Sequence, residues 1–321
     1  MKRSDFLKNS ALTTAALSLG LTGFSKLIRH PEFISGSQRD ELFKISLAQW
    51  SLNSLLFSGE IDNLDFPVMT KQHGIDAVEY VNQFFMDKAE DMNYLRELKS
   101  ICDSEGVTSV MIMCDREGQL GATDSDERNQ AVENHKKWVI AARFLGCSSI
   151  RVNGYSDITW SENPEDANEA KRLVADGMRK LCEFADDYDM DITIENHGGF
   201  SSNADWVAGL METIDHSRAG TLPDFGNFRI FGDETRTVSY DSYEGTDIMM
   251  PYAKGVSLKT TVWDHHGNNF AIDYERMMKI VLSHGFHGYV GIEHGERGRV
   301  WDSIVEIRDI LTELRTSLAA G

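Results

Sequence analysis

From Phe43 onward, short apolar runs alternate with longer stretches in which apolar residues recur at helical spacing. The short runs predict strands at residues 44–50, 76–80, 107–113, 148–153, 191–195, 220–224, 255–260 and 289–293. Helical periodicity is clearest at 91–105, 127–145, 164–188 and 273–284. Gly106, Gly146 and Gly285 each stand where a helix must stop before the next strand, the position that favours a residue able to adopt positive φ. Eight strand–helix units in about 280 residues fit a single (β/α)8 barrel spanning residues 40–321. A doubly wound sheet would carry a glycine-rich first turn, and neither G-x-G-x-x-G nor a P-loop occurs.

The first 30 residues read differently. They hold five basic side chains (Lys2, Arg3, Lys8, Lys26, Arg29) and one acid, Asp5. An apolar stretch rich in Ala, Leu, Thr and Gly runs from Ala11 to about Phe24. It is short for a membrane span and has the basic–apolar–small order of an export signal. The start, Lys2-Arg3-Ser4-Asp5-Phe6-Leu7-Lys8, resembles a twin-arginine signal with Ser4 in place of the second arginine; a Sec signal has the same layout. Residues 1–30 are therefore expected to be an export signal peptide, the mature protein periplasmic and without stable membrane anchoring.

Over the 321 residues, Asp and Glu outnumber Lys and Arg by 51 to 32, a formal charge of −19. So acidic a surface repels phosphate backbones, and no basic cluster offsets it, which excludes nucleic acid as the expected partner. The four cysteines, Cys102, Cys114, Cys147 and Cys182, show no C-x-x-C spacing and read as buried thiols.

In such barrels chemistry sits at the C-terminal strand ends. These ends supply Gln49 and Trp50, then Glu79, then Asp115 and Glu117, then Arg151 and Asn153. The second half supplies Glu195 and His197, Asp224 and Asn227, Ser257 and Lys259, then Glu293 and His294. The period of two puts Ile192 and Ile194 toward the helices and Glu195 and His197 inward. By the same count Val256 and Leu258 face out while Ser257, Lys259 and Thr261 face in. On the last strand Val290 and Ile292 face out and Glu293 faces in. Glu195, Asp224 and Glu293 thus converge on one mouth, where bare like charges would be costly. Two arrangements relieve that cost. One is a divalent cation, Mg²⁺ or Mn²⁺ with oxygen ligands alone, shifting toward Mn²⁺, Co²⁺ or Zn²⁺ if an imidazole joins. The other is a salt-bridge network with Lys259 and Arg151 as its cations.

At these residues the sequence resembles the sugar phosphate isomerase/epimerase family of xylose isomerase-like barrels, from about residue 44 to 314. The matching pieces are Ser46-Leu47-Ala48-Gln49-Trp50-Ser51-Leu52, Val78-Glu79-Tyr80-Val81-Asn82 and Ile150-Arg151-Val152-Asn153. They continue in Ile194-Glu195-Asn196-His197-Gly198-Gly199, Leu222-Pro223-Asp224-Phe225-Gly226-Asn227 and Val290-Gly291-Ile292-Glu293. The resemblance implies metal ligation by Glu195, Asp224 and Glu293, with the two glutamates also acting as acid and base. The family's fourth ligand is a His opening an H-x-K run; here the run is Ser257-Leu258-Lys259, and a hydroxyl is a poor ligand. Water or a nearby histidine would complete the shell, His197 being the first candidate because it is expected to share the inward face with Glu195. His265 and His266 fall in a polar loop, and His284 and His287 flank a helix-to-strand turn.

The implied chemistry is proton abstraction beside a sugar carbonyl through an enediolate, with Lys259 steadying the oxyanion. Trp50, Glu79, Arg151, Asn153, Asn227 and Ser257 are expected to contact the carbohydrate substrate, and Trp50 and Phe200 offer flat faces to a sugar ring. Only Arg151 and Lys259 stand ready for a phosphate, so a free sugar or keto-sugar fits better than a phosphate ester. The same enolate on a keto-glycoside would expel the aglycone, making a lyase, and a non-catalytic sugar-binding barrel is the further alternative. A phosphodiesterase would need more histidines and a basic surface.

Overall fold

The computed structural model describes residues 41–319; the expected export signal lies outside the described residues. Eight parallel strands form a nearly closed barrel. They are β1 (Lys44–Ala48), β2 (Ala77–Val81), β3 (Thr108–Met113), β4 (Ser149–Asn153), β5 (Asp191–Glu195), β6 (Ala219–Leu222), β7 (Val256–Leu258) and β8 (Tyr289–Ile292). Each pairs with its sequence neighbours, and β8 closes onto β1 through Lys44–Tyr289 to Leu47–Ile292. Between β6 and β7 the ladder thins to two isolated bridges, Thr221 with Ala253 and Asp224 with Ser257. The second of these sets Asp224 beside Ser257 at the mouth.

The helices are α1 (Asn53–Ser58), α2 (Asp65–Gln72), α3 (Met92–Glu105), α4 (Ser125–Leu145), α5 (Pro164–Asp186), α6 (Ala204–Ile214), α7 (Ser242–Met249), α8 (Tyr274–Ser283) and α9 (Val300–Ala319). Their starts follow from capping chemistry. Asp91, Asp124 and Asp241 each accept from two backbone N–H groups of the first turn, and Asn163 caps α5 just ahead of Pro164. Helices α3 and α4 end on Gly106 and Gly146 in the left-handed conformation.

The alternation read from the sequence holds. Ile192, Ile194, Val256, Leu258, Val290 and Ile292 are fully buried in the layer between strands and helices. A second, smaller core of Ala48, Ala77, Val81, Val110, Met111, Met113 and Leu222 plugs the barrel beneath the mouth. All four cysteines are buried free thiols. Among the described residues no helix is long and apolar enough to cross a membrane.

Two expectations change. The strands expected at 220–224 and 255–260 stop at Leu222 and Leu258, because past those points the chain turns to carry Asp224 and Lys259 over the mouth. Thr261, expected inward, instead opens an antiparallel hairpin, Thr261–Trp263 against Asn269–Ala271. A second hairpin pairs Arg229–Gly232 with Thr237–Ser239. Both strand pairs are too short and too polar for the alternation to reveal them.

Candidate active site

The mouth is built from the ends of β4 to β8. Asn153 and Glu195 are register partners, so the fourth and fifth strands deliver Arg151, Asn153 and Glu195 side by side. The side chain of Asn196 clamps the backbone of Asp224 from both directions: its Oδ1 accepts from Asp224 N (2.7 Å) and its Nδ2 donates to Asp224 O (2.8 Å). Glu293 follows directly on β8, its backbone N–H donating to Leu258 O. Glu195, Asp224 and Glu293 each offer one carboxylate oxygen within 4.8 Å of the others.

Cations and hydroxyls divide these oxygens among themselves. Lys259 Nζ lies 2.5 Å from Asp224 Oδ2 and 2.7 Å from Glu293 Oε1. Ser257 Oγ donates to the same pair, at 3.1 Å to Asp224 Oδ2 and 3.2 Å to Glu293 Oε2. Gly226 makes room for the lysine: a Cβ there would lie 2.8 Å from Lys259 Cβ. Asn227 Nδ2 donates to Glu195 Oε1 (3.0 Å). Arg151 Nε approaches Glu195 Oε2 to 2.8 Å, but out of line for a hydrogen bond, so both buried atoms form an ion pair yet lack hydrogen-bond partners.

The charge states follow. Burial raises the Asp224 carboxyl above its ordinary value, against the pull of Lys259. Burial opposes the charge on Lys259, but Asp224, Glu293 and Glu195 outweigh it and keep the ammonium firmly protonated. Arg151 is held charged by Glu195 and Asp115 in the same way. Asp115, although desolvated, is driven down to about 2 by Arg151, Asn153 and Gln83. The salt-bridge network thus exists, and among the described residues it leaves one buried carboxylate oxygen of Glu195 with no hydrogen bond.

The residues present fit a divalent ion. Three carboxylates within 4.8 Å match the spread of oxygens around one small cation, and Glu195 Oε2, paired with Arg151 by charge alone, accepts no hydrogen bond among the described residues. The hydroxyl of Ser257 is committed to the two neighbouring carboxylates. Such a shell is all oxygen, which suits Mg²⁺ or Mn²⁺.

Several expected residues land elsewhere. His197 does not join the three carboxylates. β5 ends at Glu195 and the chain turns through Gly198 and Gly199 at positive φ, so the period of two stops applying. Its Nδ1 shares a 2.5 Å hydrogen bond with Tyr155 Oη instead. Glu79 is 1% exposed, beneath the mouth, accepting from Ser46 Oγ at 2.6 Å. Gly291 gives it space, since a Cβ there would sit 2.5 Å from Glu79 Oε2. Asn153, Asn227 and Ser257 hold Asp115, Glu195 and the Asp224–Glu293 pair rather than projecting freely. Trp50 and Arg151 do line the open cleft. His265 pairs with Glu244 and His284 with Asp247, away from the mouth.

That cleft, about 210 Å³, is walled by Trp50, Val81, Gln83, Asp115, Arg151, His197 and Glu293. Trp50 and Glu293 also border a second opening with Lys259 and His294. Asp115 stands among the strand-end residues named from the sequence but was given no role there, and Gln83 was not named. Asp115 had the signal, two residues past a strand end, whereas Glu117 turns away to Trp138 and Lys137.

Burial, less Ser46's opposing hydrogen bond and with Glu293 and Glu195 nearby, pushes Glu79 up to about 7. Below the unfolded value near 4.5 the group is protonated in both states. As pH rises from 4.5 to about 7 the folded state is progressively penalised, levelling off at about 3 kcal/mol above 7. Glu79→Gln is therefore expected to stabilise the metal-free protein at pH 8 and to change little at pH 4.5. Denaturant midpoints of both proteins at the two pH values check this, and an equal shift at both would contradict the assignment.

The chain belongs to the xylose isomerase-like TIM barrel family, which it matches over residues 69–315. Comparison with curated proteins gave no match. Among solved structures it is similar to a D-tagatose 3-epimerase-like protein, at 16% identity and TM-score 0.67, covering 87% of this chain and 99% of that one. It is also similar to 3-keto-D-glucoside 4-epimerase from E. coli (15%, TM-score 0.57, 85% and 99%). A third is a xylose isomerase-like barrel protein from Mycobacterium smegmatis in complex with magnesium (16%, TM-score 0.60, 78% and 86%). Sugar epimerases are thus among its structural neighbours, and at these identities the likeness is one of fold.

Proposed function

We propose that this chain is a metal-dependent epimerase or isomerase of a free sugar or keto-sugar. One observation carries the reading: Glu195 and Glu293 reach the same ion-sized cluster with Asp224, and Glu293 opens onto a cleft walled by Trp50 and Arg151. Bound there by Glu195, Asp224 and Glu293, a divalent ion would act as a Lewis acid on the substrate's carbonyl oxygen.

The chain's own residues do the rest. Glu293, facing both openings, takes the proton from the carbon beside the carbonyl. The C–H electron pair becomes the new C=C bond as the carbonyl π pair moves to oxygen, giving an enediolate. Lys259, fixed by two carboxylates, and Arg151, fixed by Asp115, hold positive charge toward that oxygen without reorganising. Glu195 delivers a solvent-derived proton to carbon and Glu293 releases the abstracted one to solvent, so atoms and electrons balance with no redox partner. The sugar's hydroxyls meet Arg151, Gln83 and Asp115, and Trp50 covers the ring.

In deuterium oxide each turnover is expected to leave one deuterium at the epimerised or isomerised carbon of a keto-sugar. Product without solvent deuterium would contradict proton abstraction. A second reading is favoured by a larger cleft beside the first, also bordered by His197. On a keto-glycoside the enolate pair would form a C=C bond and break the glycosidic C–O bond, the aglycone leaving with a proton. Released aglycone then replaces a product of unchanged mass.

A further inference from the structure

The cleft next to the catalytic mouth has a character of its own. It encloses about 470 Å³, against about 210 Å³ for the mouth itself, and His197 forms a wall of both. Trp160 and Phe231 stack in it, with ring centroids 5.0 Å apart and planes 21° apart. Tyr155, Ile158 and Phe200 continue the surface. Among the described residues no acid, lysine or arginine lines it, in a chain of net charge −19. Arg236 lies over both the Trp160 and Phe231 rings from outside the lining, and is itself paired with Glu162.

The wall between the two clefts is held in place. His197 Nδ1 shares its bond with Tyr155 Oη, whose hydroxyl also lies 3.1 Å from the His197 carbonyl oxygen. The His197 backbone N–H donates to Ser201 Oγ. A ligand longer than one sugar ring, seated with its ring in the mouth, therefore continues past a fixed imidazole onto a flat, uncharged, aromatic surface. The stacked rings with Ile158 and Ile230 favour a planar apolar group there, and the polar groups among the lining, Gln119, Ser156 and Thr159, are uncharged.

We infer that this cleft is an aglycone subsite, and that the substrate is a glycoside carrying a flat, uncharged aromatic aglycone stacked against Trp160 and Phe231. The inference rests on the keto-glycoside form of the sugar reading above. Its test is binding, so it stands or falls separately from turnover. Calorimetric titration of the full chain with methyl β-D-glucoside, phenyl β-D-glucoside and cellobiose is expected to give at least tenfold tighter binding of the phenyl glucoside than of the methyl one. In Trp160→Ala and in Phe231→Ala that preference should shrink to within about threefold, while methyl glucoside binding stays unchanged. In Glu195→Gln the preference should survive. Phenyl binding no tighter than methyl, a preference that persists in both aromatic variants, or tighter binding of cellobiose would overturn the subsite. A phenyl preference without turnover of any keto-glycoside would leave the subsite standing and remove the keto-glycoside reaction.

Discussion

Glu195→Gln and Glu293→Gln are each expected to lower turnover by about 10²- to 10⁴-fold, the usual contribution of a positioned acid or base. The two losses should differ in kind. If Glu293 abstracts the proton, Glu293→Gln stops both product formation and exchange of the substrate's α-hydrogen with solvent. Glu195→Gln should stop product formation yet leave exchange running, because Glu293 can still remove the proton and return it to the same face. Loss of fold is not the expected cause. In Glu195→Gln the Arg151 guanidinium keeps Asp115 at 2.9 Å, and in Glu293→Gln Lys259 keeps Asp224 at 2.5 Å. Some stability will be lost, since Glu195 and Arg151 are a buried pair and removing one partner leaves the other less compensated. Thermal melts beside the kinetics separate the two effects, and near-normal activity in both variants would sink the two-carboxylate scheme.

The barrel was legible because its strands are buried on their outer face: Ile192/Ile194 and Val290/Ile292 could only be satisfied by a helical layer, which fixed the inward direction of Glu195 and Glu293. The same count failed wherever the strand had already ended. His197 lies two residues past β5, where left-handed glycines redirect the chain, and Thr261 lies three past β7, in a hairpin. Depth was the other hidden quantity. Glu79 has the right parity for the mouth but sits too low, because β2 runs on to Val81 and Gly291 opposite leaves a hollow for its carboxylate. Parity reports a face; height along the barrel depends on how neighbouring strands are staggered, which no single strand encodes. Tyr155 and Trp160 escaped notice for a third reason: they stand in the loop between β4 and α5, where there is no period to read.

The chain as purified is expected to carry about one divalent ion, to lose its activity with that ion under chelation, and to regain it on adding Mn²⁺ or Mg²⁺. Elemental analysis and activity before and after chelation measure this. Lys259 makes the result sharper, because it competes for the same oxygens. An ammonium at 2.5 Å and 2.7 Å from Asp224 and Glu293 already neutralises one of three negative charges, so the ion binds against a resident cation. Lys259→Met should then bind the ion more tightly than the unaltered chain while losing activity, since the oxyanion loses a positive partner. With ion present the variant should melt near the parent's temperature; after chelation it should be markedly less stable, three carboxylates being left to Arg151 alone. If instead no ion binds either protein and Lys259→Met is destabilised whatever is added, the carboxylates are a closed salt-bridge network. Proton abstraction would then have to rely on Lys259 and Arg151 for all of its charge stabilisation, and the metal-dependent part of the proposal would fall while the two-glutamate part remained open to the exchange experiment.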